Sequence, residues 1–353
     1  MSQSTIPNIV DLTSLAEKNV RSIICGAIEH VSPENALVIF DNQNELTQIL
    51  TEAYRRVLPH AVFINFDETE NDSVIDAINL LNPRDLVVLI QSTDFRLNAF
   101  RIRIYLFQRK LKVIDHLHLS RNIASSWKTY INSLEYDSEW YRGTGKALKK
   151  RLESTNTFCI KYRDSTLKVE GGLEVPKLNI GDYSGMENIG GTFPIGEVFT
   201  EAKDFIQMNG SFYVYAFADS TYNVTMHEPF RVDVEKGLVV SWGDNAPQTF
   251  TDVVAQVKSN ERALIREIGF GLNRAFTREN YVNDITAFER ILGLHLSLGE
   301  KHTVYKKAGI VADKTRFHVD LFISFNEITS DGNILSKDKI FYINNKKGLQ
   351  MET

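Results

Sequence analysis

The first half of the chain alternates apolar runs with helical patterns. The runs Ala36 to Phe40, Ala61 to Phe66 and Asp85 to Ile90 predict buried strands. Lys112 to Ile114 predicts a further one. Between the first two runs, apolar residues recur at helical spacing after Asn44, a residue type that favours the N-cap position. Because strands and helices alternate, the pattern is typical of a mostly parallel sheet that is covered on both faces.

The pattern changes after a helical stretch from Glu139 to Glu153. Beyond it, the chain consists of short predicted strands separated by turns, including a hairpin from Val232 to Trp242 that turns at Lys236-Gly237. A helical pattern follows from Asn283 to Leu292, where apolar residues share one face. This second half therefore predicts a largely antiparallel sheet with few helices.

These patterns predict two domains of the α/β and α+β classes. Residues 1–154 would form an N-terminal, mostly parallel α/β sheet domain, and residues 155–353 a C-terminal, largely antiparallel domain that binds metal. No glycine-rich phosphate loop follows a predicted strand of the first domain, so nucleotide binding has little support there. His116 and His118 form a pair near a strand end. Such positions can host sites, but two histidines alone are more often structural.

Composition places the chain among ordinary globular proteins. Its 353 residues, 43% of them hydrophobic and 24% charged, suffice for two separate cores. The net charge of −5 gives no electrostatic footprint for nucleic acid or for an anionic membrane. Two cysteines, Cys25 and Cys159, exclude a disulfide framework and a zinc site made of thiolates. The first residues do not resemble a signal peptide, and no apolar stretch is long enough for a membrane span, so we expect a cytoplasmic location.

A two-residue spacing near the end of the chain suggests a metal site. His318 and Asp320 would point to the same face of a strand, because successive side chains of a strand alternate between faces. Three other apolar segments each carry one ligand-type residue, namely Glu197, Glu267 and His295. Taken singly, each is more often a surface carboxylate or a hydrogen-bonded core histidine. Together they indicate a metal, since buried ionisable groups with few basic neighbours are costly unless they are paired or metal-bound.

Two histidines and three carboxylates suit divalent ions such as Zn²⁺, Mn²⁺, Co²⁺ or Fe²⁺, and they can hold two of them. In a two-metal site a carboxylate can bridge ions about 3.5 to 4 Å apart, where a shared water becomes the nucleophile and one ion polarises the scissile carbonyl. The predicted chemistry is therefore amide hydrolysis.

The segments that contain these residues resemble a known family. The pattern of the aminopeptidase T and aminopeptidase S family of dinuclear metallopeptidases is followed, in order and at suitable intervals, by Pro194 to Thr200, Glu267 to Asn273, Ile291 to Gly299 and Phe317 to Asp320. The resemblance implies that two metal ions are bound by Glu197, Glu267, His295, His318 and Asp320. One of the glutamates would bridge the ions or handle the proton of the attacking water. The resemblance also implies an intracellular, homodimeric exopeptidase that removes the N-terminal residue of a peptide.

The departures from the family pattern concern the substrate side of the site. The family usually has an Asn-x-Pro-x-Gly-Glu turn where this chain has Thr192 to Glu197, and its Gly-Thr-Asp-Leu-like segment is altered here to Asp164 to Leu167. Family members also place a tyrosine shortly after the third segment, suited to stabilising a tetrahedral intermediate. His302 or Tyr305 would take that role here, which adds both to the candidate catalytic residues.

Three other interpretations of the same residues stay open. His295, His318 and Asp320 form a two-histidine, one-carboxylate set that can hold a single Fe²⁺. The ring-cleaving dihydroxypyridine dioxygenases are similar to this peptidase fold and use such an iron site; Glu197 and Glu267 would then support the ligands or act as substrate bases. A specialised biosynthetic enzyme of either chemistry would use the same set. A non-catalytic binding protein that has the peptidase fold but has lost its activity is the weaker hypothesis, because all five candidate metal ligands are present.

Overall fold

The computed structural model describes residues 8–31, 33–97, 100–302, 304–311, 314–337 and 340–342. Contacts divide the chain into two compact units. The first takes the described residues up to Arg142 together with Gly181–Ile195 and Asn280–Ala287, and the second takes Gly143–Ile180, Gly196–Glu279 and the described residues from Phe288 onward. The predicted domain boundary near residue 154 stays a prediction.

The α-helices of the described residues, numbered α1 to α8, are Ile9–Ser22, Glu45–Val57, Asn71–Asn79, Ile102–Gln108, Trp127–Ser133, Ser138–Glu153, Gln248–Lys258 and Ile285–Phe288. A π-helical turn, Ile23–Ala27, continues α1. The N-cap predicted at Asn44 is confirmed, because its side-chain oxygen accepts a hydrogen bond of 3.0 Å from the backbone N–H of Thr47 at the start of α2.

The strands of the described residues, numbered β1 to β20, are Ala36–Phe40, Val62–Asn65, Leu86–Ile90, Arg96–Leu97, Phe100–Arg101, Lys112–His116, Thr157–Tyr162, Ser165–Glu170, Lys177–Asn179, Ile189–Phe193, Glu197–Glu201, Met208–Ala218, Val224–Glu235, Leu238–Trp242, Ile265–Gly271, Gly293–Leu298, Val319–Ser324, Glu327–Ser330, Asn333–Lys337 and Ile340–Phe341. None of the helices in the described part of the chain combines the length and the apolar character that a membrane span requires.

The first unit is built on a parallel sheet. Its five strands are ordered β10-β6-β3-β1-β2, and every pairing is parallel. All residues of β1, β3 and β6 are buried, as expected for strands covered on both faces. Leu37, Val87 and Val113 pack in one core cluster with Val74 and Ile78 of α3. The predicted α/β class of this half of the chain is confirmed.

The second unit is built on an antiparallel sheet of thirteen strands. Eleven of them follow the order β20-β19-β18-β7-β8-β12-β17-β16-β15-β11-β9, while β13 pairs with β12 and β14 with β13. The predicted hairpin is confirmed as β13 and β14, joined at Lys236 and Gly237. Both turn residues have positive φ. Glycine adopts this conformation at no steric cost, which suits Gly237 to the turn.

The helix predicted from Asn283 to Leu292 is wrong in length. Helix α8 has only four residues, Ile285–Phe288. The chain leaves the helix because the carbonyl of Arg290 accepts a hydrogen bond of 2.9 Å from the backbone N–H of Asn273, and Asn273 forms a parallel bridge with Ile291. Strand β16 then begins at Gly293, so strand pairing overrides the apolar helical pattern.

His116 is a buried structural residue. It is the last residue of β6. Its Nε2 lies 2.8 Å from the Tyr54 hydroxyl, and its Nδ1 lies 3.1 Å from the Tyr130 hydroxyl. Neutral imidazole offers one donor and one acceptor, and the two hydroxyls satisfy both. His118 instead contacts Asp94, with 3.1 Å between Nε2 and Oδ1. The two histidines therefore contact different residues.

Burial lowers the pKa of His116 to about 3, which gives a prediction for stability. An unfolded histidine has a pKa of about 6.5, so the unfolded chain takes up the proton first. The stabilisation due to neutral His116 is complete above about pH 6.5 and is lost as the pH falls toward 3, at up to about 1.4 kcal/mol per pH unit. Urea unfolding of the His116→Gln variant should therefore show a shallower loss of stability between pH 6.5 and 4.5 than the unchanged chain. His60→Gln, at an exposed position, is the control, and identical slopes in all three proteins would contradict the prediction.

Candidate metal centre

The four segments singled out by the sequence become neighbouring strands. Strands β17, β16, β15 and β11 lie side by side in the second unit, and all their pairings are antiparallel. Glu197 begins β11, Glu267 lies in β15, and His295 lies in β16. Asp320 lies in β17, directly after His318 and Val319. The structure therefore brings all five predicted residues to one region of the sheet.

The five residues form two overlapping groups. In the first, one ligand atom each of Glu197, Glu267 and His295 lies within 4.8 Å of the others; in the second, the same holds for Glu267, His318 and Asp320. His295 Nε2 is 3.3 Å from Oε1 of Glu197 and 3.4 Å from Oε1 of Glu267. His318 Nε2 is 3.1 Å from Oδ1 of Asp320. Glu267 is the member that both groups share.

Two glycines in β15 allow close packing at the centre, one against a ligand side chain and the other against the backbone. Gly269 pairs with His295 in the sheet register, and a Cβ atom at Gly269 would lie 2.0 Å from Nε2 of His295. Gly271 pairs with Glu197, and a Cβ atom there would lie 1.9 Å from the carbonyl oxygen of Ile291. The Gly-x-Gly of this segment therefore serves close packing, and neither position accepts a larger residue without displacing its neighbour.

Gly269→Ala should damage the centre without removing a ligand. The added methyl group must displace the imidazole of His295, so we expect about tenfold weaker metal binding and a loss of about 1 to 3 kcal/mol in stability. Calorimetric metal titration and urea unfolding measure the two effects. The matched control is Gly143→Ala, where an added Cβ meets no atom within 4 Å. If both variants bind metal equally well, the ring of His295 does not take part in binding.

The imidazole of His318 is oriented by the backbone. Its Nδ1 lies 3.0 Å from the carbonyl oxygen of Lys301, which can only accept a hydrogen bond. This contact places the proton on Nδ1 and leaves Nε2, the atom nearest Asp320, available as a ligand. Metal-binding histidines are commonly oriented in this way.

His302 joins the centre, whereas the hydroxyl of Tyr305 is engaged elsewhere. His302 Nε2 lies 2.6 Å from Oε2 of Glu267, and the ring of His302 stacks on that of Tyr305 with centroids 5.4 Å apart. The Tyr305 hydroxyl shares its one hydrogen between the carbonyl oxygens of Val175, at 2.7 Å, and Phe199, at 3.3 Å. Of the two candidates for the family's tyrosine role, His302 is the one whose polar atom faces the ligand-type residues.

Buried Arg266 holds the segment that carries Lys301 and His302. Its Nε donates to Oε2 of Glu201 at 2.9 Å, and its other nitrogens donate to the backbone carbonyls of Glu300 and Tyr305, at either end of that segment. Arg266 therefore pairs with Glu201, not with the adjacent Glu267. This leaves Glu267 to the imidazoles.

Arg290 and Glu289 are charged members of the site that the sequence analysis missed. Arg290 is buried; its Nη1 donates to Oε2 of Glu197 and its Nη2 lies 2.7 Å from Oε1 of Glu289. The expectation of few basic partners near the candidate ligands is therefore wrong at Glu197. A signal was present in the sequence, because this charged pair interrupts an apolar run between Phe288 and Ile291.

The electrostatics of the cluster favour bound positive charge. Burial would raise the pKa of Glu267, but hydrogen bonds with His295 and His302 hold that pKa well below its usual value. Burial would lower the pKa of His295, yet the hydrogen bonds with Glu197 and Glu267 raise it well above its usual value. The pKa of Asp320 is lowered in the same manner, against burial, by His318. Protonated imidazoles thus balance the carboxylates, and a divalent ion at the same atoms would displace those protons.

The donor set fits a divalent metal. Three carboxylates and two imidazoles match the ligands of Zn²⁺, Mn²⁺, Co²⁺ and Fe²⁺. The buried Oδ1 of Asp320 lies 3.1 Å from Nε2 of His318 and accepts no other hydrogen bond from a described residue. A buried carboxylate oxygen with a single polar neighbour can take a metal ion as a further partner.

A cavity of about 390 Å³ lies against the centre. Its walls include ligand-type residues, two further charged residues and two apolar ones: Glu197, Glu267, His318, His302, Glu289, Lys301, Phe199 and Val304. The cavity therefore gives a small molecule access to the metal-binding atoms.

The sequence matches no family model and no curated protein. Its fold is similar to that of two solved structures. The first is 2,5-dihydroxypyridine dioxygenase from Pseudomonas putida KT2440, with a TM-score of 0.61 and 14% identity over 94% of this chain and 96% of that one. The second is wild-type AmpT from Thermus thermophilus, with a TM-score of 0.54 and 12% identity over 93% of this chain and 98% of that one. At these identities the likeness shows a shared fold.

Proposed function

We propose that the chain is a metal-dependent hydrolase of the aminopeptidase type, which releases the N-terminal residue of short peptides at a centre of two divalent ions such as Zn²⁺, Co²⁺ or Mn²⁺. The observation that carries the proposal is the shared position of Glu267, which belongs to both groups of clustered ligand atoms. A carboxylate common to two ions is the bridge that dinuclear sites use. When bound, the ions would supply a nucleophilic water and polarise the scissile carbonyl.

The assignment of ligands follows the two groups. Glu197 and His295 would hold one ion, His318 and Asp320 the other, and Glu267 both. These are the five residues that the family resemblance implies.

His302 is the residue we propose for proton transfer. Its Nε2 is 2.6 Å from Oε2 of Glu267, and its side chain lines the cavity where the substrate would lie. This contact is a hydrogen bond between the His302 imidazole and the Glu267 carboxylate. A histidine so placed can donate to the amine that leaves or to the oxygen on which charge develops. Because the Tyr305 hydroxyl is bonded to two carbonyls, we propose a supporting role for Tyr305, stacked on the ring of His302.

A single Fe²⁺ with ring-cleaving dioxygenase activity is the second candidate. The ion pair between Arg290 and Glu197 favours it, because Arg290 occupies one carboxylate oxygen and reduces the negative charge available to a second ion. The clustering of ligand atoms weighs against it. Among the described residues, no group of three within 4.8 Å combines His295 with His318 and Asp320, whereas both groups contain Glu267. The homodimer, which the resemblance implies, and the cytoplasmic location expected from the sequence stay predictions.

Peptide hydrolysis after metal exchange tests the proposal. Protein stripped with a chelator and reloaded with Zn²⁺, Co²⁺ or Mn²⁺ should hydrolyse aminoacyl amides and short peptides with a free N-terminus, and should leave N-acetylated peptides intact. The chelated protein should be inactive. Oxygen uptake on a hydroxylated heteroaromatic with Fe²⁺, together with no amide hydrolysis under any metal, would refute the hydrolase and support the second candidate.

A further inference from the structure

We propose that the cavity beside the metal centre selects short peptides with both termini free, with Glu289 receiving the ammonium group and Lys301 the carboxylate. This inference rests on the proposed function and narrows its substrates to molecules of about dipeptide size. It comes from two charged residues that line the cavity and belong to neither group of metal-ligand atoms.

Glu289 presents a carboxylate that the metal centre does not use. Its Oε1 lies 2.7 Å from Nη2 of Arg290, which fixes the side chain, and its Oε2 accepts no hydrogen bond from a described residue. The Glu289 side chain is 22% exposed, against 6% for Glu197 and 8% for Glu267, so it is the most open of these three glutamates. A fixed carboxylate with one free oxygen on a cavity wall is suited to binding an ammonium group.

Lys301 supplies the opposite charge. Its side chain lines the same cavity, and its ammonium group forms no hydrogen bond or ion pair within the described part of the chain. The backbone of Lys301 is held beside a candidate metal ligand, because its carbonyl oxygen lies 3.0 Å from Nδ1 of His318. The lysine side chain therefore starts from a backbone position next to the centre and lines the same cavity as Glu289.

The size of the cavity suits a small molecule with two charges. Its volume of about 390 Å³ is near the lower end of ligand pockets, which range over about 300 to 1,000 Å³. Phe199 and Val304 offer apolar contact for a side chain between the charged residues. A long peptide would carry its carboxylate away from Lys301, whereas a dipeptide keeps both charges within the cavity.

Paired substrates test the inference. The metal-loaded protein would be assayed with alanyl-leucine and with alanyl-leucinamide, which lacks the carboxylate. Lys301→Met should lower kcat/KM for alanyl-leucine about tenfold and leave that for the amide unchanged, while Glu289→Gln should raise KM about tenfold for both. Lys306→Met and Glu279→Gln, at exposed positions outside the cavity, are the matched controls.

A binding measurement separates this inference from the proposed function. Calorimetry with a dipeptide analogue whose amide is reduced to an amine, and with its C-terminal amide, should show the same pattern across the variants. If the protein hydrolyses peptides but Lys301→Met affects acid and amide equally, or Glu289→Gln changes neither, the inference fails and the hydrolase stands. If no peptide is hydrolysed and the analogue still binds with the predicted dependence on both residues, the hydrolase fails and the inference stands. Failure of the unchanged protein to bind the analogue overturns the inference.

Discussion

Replacing Glu267 by Gln should remove both metal ions from the centre and lower kcat/KM at least about a thousandfold. The expectation follows from the two groups of ligand atoms, because Glu267 belongs to both and each of the other ligands to one. A neutral amide is a poor ligand for a divalent ion and cannot bridge two of them. Metal analysis of the purified variant, together with the peptide assay, measures both effects.

Variants of residues that belong to only one of the two groups of ligand atoms make this prediction specific. Glu197→Gln and Asp320→Asn should each lose about one of two ions, because each residue belongs to one group. Glu279→Gln, an exposed glutamate, should keep both ions and full activity. A Glu267→Gln variant that retains one ion at full occupancy would indicate a mononuclear site held by the two histidines and Asp320.

Arg290→Met should destabilise the metal-free protein by about 3 to 5 kcal/mol, as expected when one partner of a buried ion pair is removed. Arg290 is buried and contacts the carboxylates of both Glu197 and Glu289, with Glu267 and Asp320 contributing further negative charge nearby. Without the guanidinium these carboxylates are left uncompensated. Urea unfolding in the presence of a chelator measures the loss.

Metal should rescue much of this loss. A divalent ion binds the folded centre and supplies the charge that Arg290 provided, so the difference between Arg290→Met and the unchanged chain should shrink at saturating metal. Arg316→Met, at an exposed arginine of the same unit, should change stability by no more than about 0.5 kcal/mol in either condition. If Arg290→Met has the same small effect, the ion pair with Glu197 contributes nothing to the centre.

Local patterns predicted much of the fold. Four strands of the parallel sheet, the Asn44 cap and the hairpin at Lys236-Gly237 each depend on residues close in sequence, and they are confirmed. The fifth strand, β10, was not predicted, because it joins the sheet from a distant part of the chain. The helix expected from Asn283 to Leu292 is wrong because its outcome depends on a distant partner, Asn273. Apolar spacing cannot distinguish a helix from a chain that turns to begin a strand.

The site was predictable in its residue types and not in its contacts. His318 and Asp320 could be assigned to one region from strand periodicity, and the order of the four segments indicated which other residues belong with them. The pairing of His302 with Glu267 and the burial of Arg290 against Glu197 are long-range contacts that no local spacing encodes. The need for glycine at position 269 likewise becomes visible only once His295 is placed opposite it.

Anomalous diffraction at the absorption edge of the bound metal tests the central claim most directly. Crystals of protein loaded with Zn²⁺ should show two peaks about 3.5 to 4 Å apart, one on each side of the Glu267 carboxylate. The first should be bound by Glu197 and His295, and the second by His318 and Asp320. A single peak bound by His295, His318 and Asp320, with Glu267 outside its ligand sphere, would contradict the dinuclear centre.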